Sequence, residues 1–165
     1  MSLRVVVHRA TPGDALRVRA VRLRALEDSP NAFWTTLAQD RALPVDAWRD
    51  RLADPGAATF LAVRDGADVG LVVGRAHHDV DGEAGLYAMW VAPEARRDGV
   101  SRELITAVLA WARDAGYPRV RLEVADANSP AIATYAALGF VATGRTGAMP
   151  APREHITEHE LAVEL

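Results

Sequence analysis

The stretch from Leu86 to Ala115 restricts the fold more than any other part of the chain. Leu86 to Val91 is an apolar run rich in aromatic and β-branched residues, which predicts a buried strand that Pro93 ends. From Leu104 to Ala115 apolar residues recur every three or four positions, which predicts an amphipathic helix opening at Gly99. A strand, a short loop and a helix in this order aim unpaired N–H groups and the positive end of the helix dipole at one point, so we expect an anion there.

The loop that opens this helix carries a recognisable pattern. It reads Arg96, Arg97, Asp98, Gly99, Val100, Ser101, Arg102. Neither the P-loop string nor the dinucleotide fingerprint occurs in the sequence. The loop instead resembles the acetyl-CoA pyrophosphate loop of the GCN5-related N-acetyltransferase (GNAT) superfamily, Gln/Arg-x-x-Gly-x-Gly/Ala. Arg96 and Gly99 match its first two fixed positions, and Ser101 departs from the third. The alternative, for the loop taken alone, is solvated arginines and a glycine that only makes a turn.

A second motif follows after one predicted strand. Asn128, Ala131, Tyr135, Gly139 and Phe140 stand at the spacing Asn-x-x-Ala-x-x-x-Tyr-x-x-x-Gly-Phe, which is similar to the second acetyltransferase motif at every named position. The order and the spacing of the two motifs are those of the family, and two motifs in register are more specific than either alone. The resemblance covers roughly residues 59 to 143 and the two ends only in outline.

The resemblance implies an N-acetyltransferase that moves an acetyl group from acetyl-CoA, its co-substrate, to a primary amine by direct attack, without a metal. In that family the central strand and the next parallel strand part, and the cofactor arm lies between them. The positions that would then bind the cofactor are Met89, Trp90, Val91, Arg96, Arg97, Asp98, Gly99, Val100, Ser101, Arg102, Asn128, Ala131 and Tyr135. The acceptor would contact Phe33, Trp34 and Tyr87, although the first two could equally be core residues.

Tyr135 is the predicted general acid. A phenol with a pKa near ~10 stays protonated at neutral pH, while the thiol that must leave has a pKa near ~8.5. The transfer is uphill by roughly 2 kcal/mol in water, which a preorganised site can offset. The alternative is a tyrosine that only packs its ring on a neighbouring helix.

The general base is less well defined by the sequence. Leu86 to Val91 contain no carboxylate, so the candidates are Glu83, His77, His78 or a water chain, and Glu83 is our catalytic prediction. Asp79 and Asp81 stand near the two histidines, but consecutive histidines on one strand would point to opposite sides, so we predict no metal site.

Composition and charge exclude several classes of protein. The net charge of -3 argues against a nucleic-acid surface, and the absence of cysteine excludes disulfides and a thiolate nucleophile. No apolar run is long enough to span a membrane and no signal-peptide core is present, so a cytoplasmic location is expected by default. The sequence does not decide whether Met1 to Leu3 are native. Because relatives commonly dimerise, the resemblance also suggests a homodimer.

The remaining elements predict one α/β (α+β) domain over residues 1–165, with a mixed, mostly antiparallel GNAT-like sheet, a central parallel pair and helices on both faces. The predicted strands are Val5 to Val7, Thr59 to Val63, Val69 to Arg75, Gly85 to Val91, Val120 to Val124 and Thr157 to Val163. The predicted helices run from Thr11 to about Asp28, with its arginines on a solvated face, from Pro44 to about Ala53, from Gly99 to Ala115, and from Asn128 to Gly139. Residues Thr143 to Arg153 are predicted as loop.

Two other functions are compatible with these patterns. A domain of the same fold could bind acyl-CoA as a regulatory module without catalysis, in which case Tyr135 would not be needed. A metal-dependent hydrolase using His77 and His78 is a more distant alternative, which the metal content of the purified protein distinguishes. The identity of the acceptor is open, because fold alone does not choose between small amines, antibiotics, amino acids and protein N-termini.

Overall fold

A seven-stranded mixed sheet forms the centre of the computed structural model, which describes residues 4–165. The strands are β1 (Val5–Arg9), β2 (Ala57–Arg64), β3 (Ala67–Ala76), β4 (Ala84–Val91), β5 (Arg119–Ala125), β6 (Val141–Ala148) and β7 (Thr157–Glu164). The helices are α1 (Ala15–Asp28), α2 (Leu37–Arg41), α3 (Val45–Ala53), α4 (Val100–Asp114) and α5 (Ser129–Ala137). Met1 to Leu3 lie outside the described residues. None of the described helices is long and apolar enough to cross a membrane.

The strands are ordered β1-β2-β3-β4-β5-β7-β6 across the sheet. Among residues 4–165, β4 and β5 are the one parallel pair of neighbours, and the other neighbouring strands are antiparallel. The predicted mixed sheet with a central parallel pair is therefore confirmed. The parallel pairing is very short, since it joins Ala84 to Val120 and Gly85 to Arg121 and no further residues.

A bulge in β4 accompanies this early separation. The pairing of β4 with β3 shifts register between Leu71 and Val73, and Ala88, on the bulged side, has a φ of 57°. A bulge adds an unpaired residue and bends its strand, which re-aims the side chains that follow it. Beyond Gly85, β4 therefore keeps β3 as its partner and separates from β5.

Helices cover both faces of the sheet, as predicted. On β3, a side chain at Gly74 would meet the ring of Trp111 on α4, while the neighbouring Val73 lines a cavity shared with Val18 of α1. Since successive residues of a strand point to opposite faces, α4 lies on one face and α1 on the other. Leu104 and Val108 of α4 are fully buried against the sheet.

Two elements differ from the sequence predictions. The predicted loop from Thr143 to Arg153 is wrong at its start, because Val141–Ala148 forms β6. Every residue of β6 is exposed, so the alternation of apolar and polar residues that marks a half-buried strand is missing. Helix α2 was not predicted; it is short and begins with a capping box in which Thr36 and Gln39 bond each other's backbone N–H groups.

Asp28 joins α1 to the end of β4 and to the loop that follows it. Its Oδ2 accepts hydrogen bonds from Trp90 Nε1 at 3.0 Å and from Arg96 Nη2 at 2.5 Å, while Arg96 Nε donates to the Val91 carbonyl at 3.0 Å. The hydrogen bond from Trp90 lowers the pKa of Asp28, helped by Ser29 and Arg96 and opposed by burial. One carboxylate thus fixes both the indole and the loop.

Replacing Asp28 by Asn should measure this contribution. The variant keeps an acceptor oxygen for Trp90 but loses the charge that Arg96 faces. Because hydrogen bonds to charged groups contribute more than neutral ones, we expect the free energy of unfolding at pH 7 to fall by about 1–2 kcal/mol in urea denaturation. Asp46→Asn, which breaks an exposed pair with Arg49 at 2.9 Å, is the control and should change little.

The same variant should also change the acid sensitivity of the fold. Because the folded pKa of Asp28 lies below its ordinary value of 3.8, its stabilisation is complete above that value and is lost as the pH falls through the folded pKa. Between about pH 5 and pH 2 the wild type should therefore lose more stability than Asp28→Asn. Parallel losses in the two proteins would contradict a role for the Asp28 charge.

Candidate active site

A cavity of about 450 Å³ opens where β4 and β5 separate. Its floor is formed by β3, by Leu86, Tyr87, Ala88 and Met89 of β4, and by residues 123–125 of β5; α1, α3, α5 and β7 supply its walls. The volume and the mixed apolar and polar lining are typical of a small-molecule site.

The structure brings one part of the predicted site together in this cavity and leaves another part outside it. The predicted residues that line the cavity are Phe33, Trp34, Tyr87, Met89, Asn128, Ala131 and Tyr135. The predicted residues that do not line it are Glu83, Trp90, Val91 and the loop from Arg96 to Arg102. The sequence left open whether Phe33 and Trp34 are core residues or walls of the acceptor site. Phe33 is 4% exposed, so it belongs to the core as well as lining the cavity, whereas Trp34 is 44% exposed and forms part of the cavity wall.

Tyr135 lies on α5, is buried and lines the cavity. Its ring contacts Phe140 edge to face, with centroids 5.5 Å apart. Burial raises the pKa of the Tyr135 hydroxyl well above its ordinary value of 10.0, so the group is a neutral phenol at every physiological pH. Asn128 caps the same helix, since its side chain accepts a hydrogen bond from Ala131 N at 3.4 Å.

The glycine loop presents free backbone donors at the start of α4. Arg97 and Gly99 have left-handed φ values of 69° and 78°, which curl the chain into the helix. The first helical hydrogen bond runs from Glu103 N to Gly99 O, so the N–H groups of Val100 to Arg102 have no acceptor within the helix. These donors and the positive end of the helix dipole suit an anion such as a phosphate.

Protein contacts brace this loop from two sides. Arg64 donates to the carboxylate of Asp98 at 2.5 Å and to the Glu94 carbonyl at 2.8 Å. Arg96 is held by Asp28 and by the Val91 carbonyl, as described above, so its guanidinium positions the loop. The exposed arginines of the loop, Arg97 and Arg102, are not engaged in this way.

A chain of hydrogen-bonding side chains connects two cavity residues, Tyr87 and Glu123, with His77 and His78. The Tyr87 hydroxyl accepts a hydrogen bond from His78 N at 3.0 Å and lies 2.9 Å from His78 Nδ1. His78 Nε2 is 3.7 Å from Glu123 Oε1, and His77 Nε2 is 3.1 Å from the same oxygen. His77 Nδ1 accepts from two backbone N–H groups, at 3.1 and 3.2 Å, so His77 donates to Glu123 through Nε2–H.

The arrangement of the two histidines differs from the sequence prediction. Strand β3 ends at Ala76, so His77 and His78 belong to the turn after it and do not alternate across the sheet. Their ring centroids are 4.4 Å apart, and both rings face Glu123. Ligand atoms from His77, His78 and Glu123 lie within 4.8 Å of one another, which makes them the one group of three among residues 4–165 that could hold a metal ion.

Glu83, our predicted base, occupies a different environment. Its carboxylate pairs with Arg121, and Arg119 lies 3.6 Å away. The hydrogen bond from Arg121 lowers the pKa of Glu83, and a carboxylate held by two guanidiniums outside the cavity is a poor proton acceptor. The geometry therefore favours other carboxylates, and Glu83 is not retained as the candidate base.

Two carboxylates that the sequence analysis missed lie in the cavity. Glu123 comes from β5, and the buried Glu158 comes from β7, where it accepts a hydrogen bond from Trp34 Nε1 at 3.0 Å. Burial raises the pKa of Glu158, and the nearby charge of Glu123 adds to the effect. Both carboxylates stand beside other charged or polar residues on β5 and β7, so the sequence does not single them out.

Arg153 fixes the aromatic wall and was also missed. It is buried, and its guanidinium donates to the backbone carbonyls of Pro30, Phe33 and Trp34. A planar group with several donors can satisfy three carbonyls at once, which a lysine cannot do. Arg153 thereby ties the loop before β7 to the loop that carries Trp34.

Comparison with known proteins gives the family. A parted pair of parallel strands over a cavity is the arrangement that the resemblance to the acetyltransferases implies. The sequence model described as Acetyltransferase (GNAT) family matches residues 23–140, so the chain belongs to this family.

Individual relatives agree with this assignment. The chain is 36% identical over 137 residues to mycothiol acetyltransferase of Thermomonospora curvata, covering 82% of this chain and 44% of that protein. It is 32% identical over 146 residues to aminoglycoside N(6')-acetyltransferase type 1 of Stenotrophomonas maltophilia, and this match covers 84% of this chain and 88% of that protein. The chain thus spans less than half the length of the mycothiol acetyltransferases it matches.

The fold also matches solved structures. The Salmonella typhimurium protein yncA, solved with its cofactor acetyl-CoA, superimposes with a TM-score of 0.80. The match covers 98% of this chain and 94% of that chain at 18% identity, so the likeness is one of fold.

Proposed function

We propose that the protein transfers an acetyl group from acetyl-CoA to a primary amine by direct attack. The observation that carries the proposal is the cavity at the separation of β4 and β5, which is lined by both Tyr135 and Glu123, with His78 Nε2 3.7 Å from the Glu123 carboxylate. A thioester acyl transfer needs both a proton acceptor for the amine and a proton donor for the leaving thiolate, and this cavity holds one of each.

Acetyl-CoA would bind along the parted edge of β4. The backbone groups from Met89 to Val91, which β5 does not pair, suit the amides of the pantetheine arm, and Asn128 and Ala131 border the same space. The N–H groups at the start of α4 suit the pyrophosphate. In this arrangement Arg96 contributes by holding the loop.

The side chains of the cavity and its neighbours provide a route for the protons. The Glu123 carboxylate accepts a proton from the amine, directly or through water, and His78 passes it on, because its Nε2 lies 3.7 Å away and its side chain is 34% exposed. The neutral amine forms a C–N bond to the acetyl carbon, the C–S bond breaks, and the nitrogen then loses one more proton, which restores the Tyr135 phenol directly or through water after it has protonated the thiolate. Tyr135 donates its proton to the departing thiolate. Burial disfavours the tyrosinate, and it would disfavour a thiolate in the same site too, so the two penalties oppose each other in the transfer.

Tyr135→Phe should separate catalysis from binding. Removing the hydroxyl removes the proton donor and little volume, so kcat for acetyl transfer should fall by roughly 10²–10⁴-fold, the range typical of general acids. The dissociation constant for acetyl-CoA, measured by calorimetry, should stay within about threefold of the wild type.

Tyr117→Phe is the matched control, because Tyr117 packs against Trp111 on the α4 side with ring centroids 5.6 Å apart. Its kcat should equal that of the wild type. A Tyr135→Phe protein with unchanged kcat would contradict the general-acid role, and acetyl-CoA binding without transfer to any amine by the wild type would favour a binding module.

Glu123→Gln should identify the base. The amide preserves the shape but takes up no proton, so kcat/KM at pH 7 should fall by roughly 10²-fold or more and should rise with pH as the amine loses its own proton. Glu27→Gln, in an exposed pair with Arg41, is the control. A rate and a pH profile like those of the wild type would show that Glu123 is not the base.

A further inference from the structure

We propose that the acceptor amine carries an anionic group, a carboxylate or a phosphate, which binds to a cluster of arginines in the cavity. The inference rests on the proposed acetyl transfer and specifies its substrate class. The cluster consists of Arg22 of α1, Arg51 of α3 and Arg75 of β3, all of which line the cavity. We call it the arginine cluster.

Aromatic rings hold each member of the arginine cluster in place. The guanidinium of Arg22 lies 4.4 Å from the centroid of the Phe33 ring, and that of Arg75 lies 4.3 Å from the Tyr87 ring. Arg51 lies 5.0 Å from the Trp48 ring. Stacking uses the face of a guanidinium and leaves its N–H edge for other partners, and that edge matches a carboxylate or phosphate. In Arg22 this edge already donates to Asp40 and Thr35.

The charges in this part of the cavity are incompletely balanced. Asp40 pairs with Arg22 at 2.9 Å, and Asp54 accepts from Gly56 N at 2.8 Å. Within residues 4–165, Arg51 and Arg75 form no ion pair. Of the three guanidiniums only that of Arg22 is therefore paired with a carboxylate, so an anionic ligand could pair with Arg51 and Arg75.

Two buried donors support the same conclusion. In the described part of the chain, Arg22 Nη1 and Trp48 Nε1 are buried and have no hydrogen-bond acceptor. Trp48 is only 3% exposed and lines the cavity. Leaving a buried donor unpaired costs roughly 1–3 kcal/mol, so a site with two such donors favours a ligand that supplies acceptor oxygens.

The opposite side of the cavity carries the other sign of charge. Glu123 and Glu158 belong to β5 and β7, whereas Arg75 belongs to β3, and the sheet order puts β4 and β5 between β3 and β7. Paired strands lie roughly 4.8 Å apart and β4 and β5 separate beyond that distance, so the strands of Arg75 and Glu158 lie on the order of 14 Å apart or more. An ammonium group fits the acidic side and an anion fits the arginine cluster, so the cavity suits a small zwitterion and disfavours a polycation.

The test uses matched amines on the whole protein saturated with acetyl-CoA. The probes are glycine, 4-aminobutyrate and 6-aminohexanoate with their primary amides, O-phosphoethanolamine with ethanolamine, and kanamycin as a polycation. Binding is measured as the shift in unfolding temperature with concentration, and transfer as release of CoA. We expect at least one anionic amine to bind at least tenfold more tightly than its neutral partner. Comparing the amino acids with O-phosphoethanolamine then shows whether the site prefers a carboxylate or a phosphate.

Variants tie this preference to the arginine cluster. Arg51→Gln and Arg75→Gln change exposed side chains, and each should reduce the preference for the anionic amine about tenfold. Arg49→Gln, on the same helix as Arg51 but outside the cavity, should retain it. Arg22 is left unchanged because its buried pair with Asp40 supports the fold.

The outcomes separate this inference from the proposed function. The inference would be overturned if the amides or kanamycin bound as tightly as the anionic amines or more tightly. It would also be overturned if no anionic amine bound measurably at about 10 mM. Transfer to an uncharged amine would then leave the proposed function standing. Conversely, charge-selective binding without CoA release would support the arginine cluster and count against acetyl transfer.

Discussion

The separation of β4 and β5 after two paired residues is the constraint on which the rest of the site depends. Gly85 is the last residue of β4 that pairs with β5, and a side chain there would lie only 2.5 Å from the ring of Tyr87. The bulge at Ala88 then turns β4 away. A fully paired sheet would close the cavity and would leave no unpaired backbone on β4. The short parallel ladder therefore creates the space into which Tyr87, Glu123 and Tyr135 project.

The charges around this space are arranged by distant parts of the sequence. Helices α1 and α3 and strand β3 contribute the arginine cluster, while β5 and β7 contribute Glu123 and Glu158. Each charge is held by a neighbour of a different kind: an aromatic face for each arginine, His77 for Glu123 and Trp34 for Glu158. Such contacts hold the charged side chains in place, so less reorganisation is needed when a ligand binds. Because the arginines and the carboxylates come from different elements around the cavity, a zwitterionic ligand would be oriented with its amine toward the proton acceptor.

Sequence patterns predicted the framework well and the polar lining poorly. The period of apolar residues in α4 and the apolar, β-branched run in β4 report local burial, so patterns of this kind located most strands and helices. The motif positions Asn128 and Tyr135 were found because their spacing is fixed on one helix. Arg22, by contrast, looked like a solvated helix residue, because a sequence does not reveal that α1 packs over a cavity. The exposed strand β6 gave no alternation to detect.

The most direct test of the account is thermal unfolding with acetyl-CoA, with free CoA and ATP as comparisons. A ligand at one hundred times its dissociation constant stabilises the folded state by about 2.7 kcal/mol, which raises the unfolding temperature measurably. The account predicts that acetyl-CoA and CoA raise it and that ATP at the same concentration does not. If acetyl-CoA and CoA both leave it unchanged, the loop at the start of α4 is not a working pyrophosphate site, and the proposed acetyl transfer is contradicted.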